Sequence, residues 1–95
     1  MRLSPSQQQC IRQVMRHFFG QDAKVWLFGS RADDTRRGGD VDLYVETEPV
    51  DSVLTSLRCK LAIEEDLDMR VDLLVNDQGI DKPIYVIAKK TGVRL

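Results

Sequence analysis

Apolar and polar residues recur along the chain with two different periods, which together predict a succession of helices and strands. From Cys10 to Phe19 apolar side chains return every three to four positions, the spacing of one buried helix face. The start of this helix is marked by Ser4, which can cap it, Pro5 in its first turn and Gln7, which completes a capping box. Gly20 is a natural stop.

Three further stretches have the composition and alternation of β-strands. Residues 24–28 are continuous and bulky and end at a glycine, which is typical of a short buried strand. Residues 40–46 alternate strictly, and in residues 70–75 the three apolar residues Val71, Leu73 and Val75 share one face with Asp72 on the other. In the second strand one face is predicted to carry Val41, Leu43 and Val45, and the other Asp40, Asp42, Tyr44 and Glu46.

Prolines mark the start of two more predicted helices. Pro49 opens a long one whose apolar residues form a single stripe, and such a stripe ordinarily faces a core. Its members are Val50, Val53, Leu54, Leu57 and Leu61. Pro83 begins the last helix, which ends at Gly92, and residues 93–95 are predicted as a short edge strand. Because strands alternate with helices, we expect a sheet covered by helices.

Length and charge exclude several classes of protein. The chain has 95 residues, 42% of them hydrophobic, so we expect one domain, residues 1–95, with one modest core. A formal charge of −1 argues against a dedicated nucleic-acid binder. No apolar run approaches the roughly 18 residues of a membrane span, and residues 1–9 lack a signal peptide, so we expect a cytoplasmic protein. Cys10 and Cys59 are then expected to be reduced, buried thiols.

Candidate chemistry lies in the acids that interrupt the strands. Asp40 and Asp42 fall on one side of a strand, roughly 7 Å apart, where they are either solvated or need a proton or a cation between them. If the strand that carries Asp72 is a neighbour, three carboxylates converge. An all-oxygen cluster suits Mg²⁺, and two such ions can stabilise both the attacking and the leaving oxygen of a phosphoryl displacement.

Gly29 and Ser30 follow the first strand and supply a complementary feature. By themselves they are typical of a tight turn. Glycine also lets a ligand approach the backbone, and the serine hydroxyl with the N–H groups of a following helix start can hold phosphate oxygens. Beside three convergent acids, the second interpretation becomes coherent: one half of the site binds a polyphosphate and the other half the metals that bridge it.

The ordered set Gly29-Ser30, Asp40-Val41-Asp42 and Val71-Asp72-Leu73 resembles the signature of the DNA polymerase beta-type nucleotidyltransferase superfamily. Length and layout resemble its minimal nucleotidyltransferase (MNT) proteins. The resemblance implies an α+β (α/β-like) nucleotidyltransferase fold, with a small mixed sheet of three to four strands packed with helices. It also implies transfer of a nucleoside monophosphate, usually from ATP, onto an acceptor hydroxyl.

The resemblance assigns roles to individual residues. Gly29, Ser30 and Arg31 would bind the triphosphate. Two Mg²⁺ ions would be held by Asp40 and Asp42, with Asp72 completing the metal site and helping to deprotonate the attacking hydroxyl. One departure from the family pattern is a pair of acids, at positions 33–34, where many members carry Arg-Gly.

The resemblance also implies a partner. MNT proteins often accompany a HEPN-domain ribonuclease toxin and act as its antitoxin, either by adenylylating a tyrosine of the toxin or by binding it, as a hetero-oligomer or a homodimer. Three functions therefore stay open: a protein nucleotidyltransferase, a binding module that keeps only the fold, and a small-molecule transferase of the aminoglycoside type. The last ranks lowest because such relatives generally carry an additional helical domain.

A cluster of acids, Glu64, Glu65, Asp66 and Asp68, falls where the second long helix should end. Acidic residues at that end oppose the helix dipole. They are interpreted either as a solvated turn or as a surface that docks a partner.

Overall fold

The computed structural model describes residues 3–29, 40–49 and 52–95. Within these ranges the chain forms three helices and four strands. In chain order they are α1 (Pro5–Phe19), β1 (Lys24–Phe28), β2 (Val41–Glu46), α2 (Ser52–Leu67), β3 (Val71–Asn76), α3 (Pro83–Thr91) and β4 (Val93–Arg94).

The four strands form one mixed sheet in the order β3-β2-β1-β4. β1 runs antiparallel to both β2 and β4, whereas β2 and β3 are parallel and begin level, with Val41 opposite Val71. A parallel pair needs a long crossover connection, and α2 supplies it. The predicted α+β fold with a small mixed sheet is confirmed.

The start of α1 has the predicted capping geometry. The Ser4 hydroxyl accepts a hydrogen bond from the Gln7 backbone N–H at 3.1 Å, and the Gln7 side chain accepts one from the Ser4 N–H at 2.8 Å. Two helix-terminal donors are therefore satisfied locally. The N–H of Gly20 bonds the Arg16 carbonyl and closes the last turn.

The main core lies between one face of the sheet and the pair of helices α1 and α2. On the sheet side it contains the alternate apolar residues of β1, β2 and β3, and on the helix side Ile11, Met15, Cys59 and Ile63, all of them buried. Because side chains alternate along a strand, this core leaves the polar row of β2 and β3 on the opposite face. None of the described helices is long and apolar enough to cross a membrane.

α2 turns a different side to the core than its sequence suggests. The described members of the predicted stripe face away from the core, with Val53 82%, Leu57 50% and Leu61 52% exposed, whereas Val50 lies outside the described residues. The buried side instead carries Cys59, Ile63 and Leu67. Both sides of the helix are apolar, and the side that contacts α1 and β3 is the one buried. The structure gives the helix as Ser52–Leu67, and the two residues that follow the predicted start at Pro49 lie outside the described ranges.

The two cysteines carry free thiols, as predicted. Cys59 is buried, and burial raises its pKa to about 12, so the thiol stays protonated at neutral pH. Cys10 is only half-buried, which corrects the prediction for that residue, because its Sγ lies at the surface between α1 and α2 and donates to Asp66 at 3.5 Å.

α3 covers part of the opposite, acid-bearing face. It packs Tyr85 and Ala88 onto Tyr44 and Trp26, which form a second, smaller apolar cluster. The rings of Tyr44 and Tyr85 stack with their centroids 5.0 Å apart. α3 therefore covers the middle of the acid-bearing face. Tyr44, buried under this helix, separates the acids that precede it in the chain from the acid that follows it.

A buried polar network holds the carboxyl end of β2 to β3 and α3. The amide of Asn76 donates to the Tyr44 hydroxyl at 3.0 Å and to the Ile80 carbonyl at 2.7 Å. Tyr44 in turn donates to Glu46, which also binds Lys89. Burial raises the pKa of Tyr44 to about 12, so its hydroxyl remains a donor.

We expect Asn76→Ala to lower the free energy of unfolding by about 2 kcal/mol, because Tyr44 and the backbone of Ile80 would lose buried partners. Chemical denaturation measures the loss. Gln78→Ala, at the exposed neighbour two residues away, is the control and should cost less than about 0.5 kcal/mol. Equal losses in the two variants would contradict a stabilising role for the network.

Candidate active site

Two of the predicted acids meet on the open part of the acid-bearing face. Asp42 and Asp72 are direct partners in the parallel register of β2 and β3, so their side chains project from the same face of the sheet. The two carboxyl groups are within hydrogen-bonding reach of each other. Asp42 is half-buried, whereas Asp72 is exposed on the edge strand. The strand that carries Asp72 is therefore a direct neighbour of the strand that carries Asp42, as the predicted convergence of carboxylates requires.

The electrostatics of this pair are unfavourable to two negative charges. Burial raises the pKa of Asp42, and the nearby charge of Asp72, the hydrogen bond between the two and the charge of Asp40 raise it further. Such a pair is relieved by a shared proton or by a cation. Shifted carboxyl pKa values are concentrated at functional sites.

Asp40 lies immediately before β2 and is half-buried. Its charge acts on Asp42, so it belongs to the same end of the sheet. Within the described ranges, however, no three acidic, histidine or cysteine side chains stand close enough together to hold a metal ion. The structure thus brings together the pair Asp42–Asp72, with Asp40 beside it, and the three-aspartate metal site stays a prediction.

Gly29 is part of the same arrangement for a reason that the sequence did not reveal. It directly follows β1, whose last residue, Phe28, is paired with Asp42 in the antiparallel register. A Cβ atom at Gly29 would collide with the carboxylate oxygen of Asp42 and lie 3.1 Å from its Cγ. The backbone there also has φ of +70°, which side chains rarely adopt. Glycine therefore makes the space in which the Asp42 carboxyl sits.

The other residues assigned to the triphosphate lie outside the described ranges. Ser30 and Arg31 belong to the stretch 30–39, together with the two extra acids at positions 33–34. Their predicted roles rest on the sequence resemblance.

The described residues fit a divalent cation in two respects. Asp42 and Asp72 offer carboxylate oxygens, the donors that Mg²⁺ prefers, and the exposure of Asp72 leaves room for water and substrate oxygens. Burial, followed by the charges of Asp72 and Asp40, raises the pKa of Asp42, and a bound cation would favour the ionised pair. The resemblance assigns the ions to Asp40, Asp42 and Asp72, of which the structure pairs the last two; bound ions would supply positive charge to the phosphate oxygens of a nucleotide.

Sequence reasoning missed how the rest of this face is blocked. Trp26 packs against Tyr44 with ring centroids 5.5 Å apart, and Lys89 and Arg94 lie over the indole at 5.2 and 5.1 Å. This aromatic layer, with α3 above it, confines the open carboxylates to the Asp42–Asp72 end. The only sequence signal was Tyr44, an aromatic residue in the middle of a polar row.

Comparison with known proteins agrees with the geometry. The family model described as a nucleotidyltransferase domain matches residues 9–94, from α1 into β4. No curated protein matches the chain. With the match spanning nearly all of the chain, and with the acids of β2 and β3 paired beside Gly29, this protein belongs to the nucleotidyltransferase domain family.

Proposed function

We propose that this protein transfers a nucleoside monophosphate, AMP from ATP, onto a hydroxyl of a partner protein in the cytoplasm, with a tyrosine of a HEPN-domain toxin as the acceptor. Family membership supports nucleotidyl transfer in general. The observation that carries the proposal is the pairing of Asp42 with Asp72 on the open part of the sheet, beside a glycine that makes room for the carboxyl.

In the proposed reaction the acceptor oxygen attacks the α-phosphorus of the nucleotide. A bond forms between that oxygen and phosphorus, the bond from phosphorus to the oxygen of the β-phosphate breaks, and pyrophosphate leaves. The proton of the hydroxyl passes to Asp72, which is exposed on the edge strand where an acceptor can reach it, and from there to solvent. Asp42 and Asp40 would hold the cations whose positive charge offsets the negative charge of the triphosphate.

The direct test incubates the purified protein with ATP, Mg²⁺ and a HEPN-domain protein. We expect the intact mass of the HEPN protein to rise by one or more adenylyl groups, with release of pyrophosphate. An unchanged mass after a complete reaction would contradict the proposal. Adenylylation of a different added protein would retain the chemistry and reject the acceptor.

A second candidate function is neutralisation of a partner by binding alone. It is favoured by one observation: Asp40 does not join the pair Asp42–Asp72 in a three-carboxylate cluster within the described ranges. The double variant Asp40→Asn with Asp42→Asn separates the two functions. Neutralisation that persists in this variant favours binding, and neutralisation that is lost while the complex still forms favours chemistry.

A further inference from the structure

α2 carries an apolar surface that nothing in the described part of the protein covers. Four residues lie within an arc of about 100° around the helix axis and are 46% to 82% exposed. These residues, called here the outer stripe, are Val53, Leu54, Leu57 and Leu61. The stripe points away from the sheet, because the opposite side of α2 packs Cys59 and Ile63 into the core.

The outer stripe continues into negative charge. At the helical spacing of four residues, the position after Leu61 on the same side is Glu65, and Asp68 follows directly after the end of α2; both are exposed. One side of a single helix is therefore apolar over its first two-thirds and acidic at its end. A matching surface must be apolar and then basic.

A second copy of the chain does not match this surface. In an antiparallel pair that brings Leu54 opposite Leu61 the leucines meet, but the two copies of Arg58 lie side by side. In the register that brings Arg58 opposite Glu64, the leucines 54 and 57 face the carboxylates 68 and 65. In a parallel pair Glu65 and Asp68 face their own copies. Each arrangement places like charges together or leucines against carboxylates.

We propose that the outer stripe docks an amphipathic helix of another protein, apolar along the leucines and basic where it lies over Glu65 and Asp68. A straight apolar row on a helix is complementary to the ridges of another helix. This proposal concerns binding and does not require the transfer activity.

The acidic end of the stripe lies at the same end of the molecule as the carboxylate pair. Glu64, in the last turn of α2, accepts a hydrogen bond from the N–H of Val71 at 2.9 Å, one residue before Asp72. A partner docked here has its basic end beside the edge strand that carries Asp72. If the proposed function holds, the acceptor reaches the site around this edge strand, because α2 and the carboxylates lie on opposite faces of the sheet.

The test uses two fluorescent synthetic peptides of about 18 residues, each an amphipathic leucine helix. One peptide ends in lysines and the other, otherwise identical, ends in glutamates. By fluorescence anisotropy we expect the lysine peptide to bind about tenfold more tightly at low salt and to lose that advantage at high salt. Equal affinities for the two peptides, or no binding of either, would overturn the proposal.

Matched variants locate the binding. Leu57→Ser with Leu61→Ser should abolish binding of the lysine peptide, whereas Ile87→Ser, equally exposed on α3, should leave it unchanged. Glu65→Lys should remove the preference for the lysine peptide, and Glu48→Lys, at an exposed position before α2, should keep it. Circular dichroism verifies that each variant is folded. The proposal fails if Ile87→Ser weakens binding as much as the stripe variant does.

Sedimentation of the protein alone tests the competing occupant. We expect a monomer at micromolar concentration. A dimer that dissociates in the Leu57→Ser, Leu61→Ser variant would overturn the proposal, because the stripe would then be covered by a second copy.

Discussion

Replacing Asp42 by Asn is expected to reduce nucleotidyl transfer by about a thousandfold or more and, at neutral pH, to stabilise the fold. The loss follows because, in the proposed function, Asp42 would hold the cations whose positive charge offsets the triphosphate. The gain follows because Asn removes a half-buried charge that faces Asp72, while its amide can still donate to that carboxylate. Since the pair is partly exposed and screened, the gain is on the order of 0.5–1 kcal/mol.

The pH dependence of this gain has a definite sign. The pKa of Asp42 is raised in the folded protein above its ordinary value of 3.8. At pH values between 3.8 and the raised pKa of the folded protein, the folded state keeps a proton on Asp42 that the unfolded state releases. The wild type therefore loses stability as the pH rises through this window. Asn does not titrate, and the stability difference between variant and wild type should therefore grow over this window and stay constant above it.

Denaturant unfolding at several pH values measures this difference. Asp22→Asn, in the exposed turn before β1, is the control and should change neither activity nor the pH profile. Added Mg²⁺ should raise the melting temperature of the wild type more than that of Asp42→Asn. A variant that is less stable than the wild type at neutral pH would contradict the electrostatic account of the pair.

The second large effect is expected at Gly29. Gly29→Ala should lower the free energy of unfolding by about 3 kcal/mol, because the new methyl group needs a rare positive φ and collides with the Asp42 carboxyl. Transfer activity should fall with it, since Asp42 must move. Thermal or chemical unfolding and the transfer assay measure the two losses separately.

Gly79→Ala provides a matched control for the backbone alone. Its φ of +64° is close to the +70° of Gly29, but nothing lies within 4 Å of the added methyl group. We expect it to cost about 1 kcal/mol, and the difference between the two variants measures the collision. The double variant Gly29→Ala with Asp42→Ala should recover that difference. If the two single variants lose the same stability, the carboxyl does not depend on the space at Gly29.

Much of the fold was readable from local patterns. The capping box at Ser4 and Gln7 and the strict alternation of residues 40–46 each depend on near neighbours in the chain, and the structure confirms both. The side that α2 buries was not readable, because its two sides are both apolar and only the contacts with α1 and β3 select one. The leucine-rich side, the stronger sequence signal, remained outside.

The sequence by itself determined the elements, their order and the chemical type of the site, since acids at alternate strand positions and a glycine after a strand are local features. Only the tertiary structure decided which strands are neighbours, and therefore that Asp42 and Asp72 meet. It also decided that the carboxyl of Asp42 lies against the backbone of Gly29, and that Tyr44 is buried in the middle of the acid-bearing face. The physical reason is that strand pairing and side-chain collision join residues far apart in the chain, and no local periodicity encodes them.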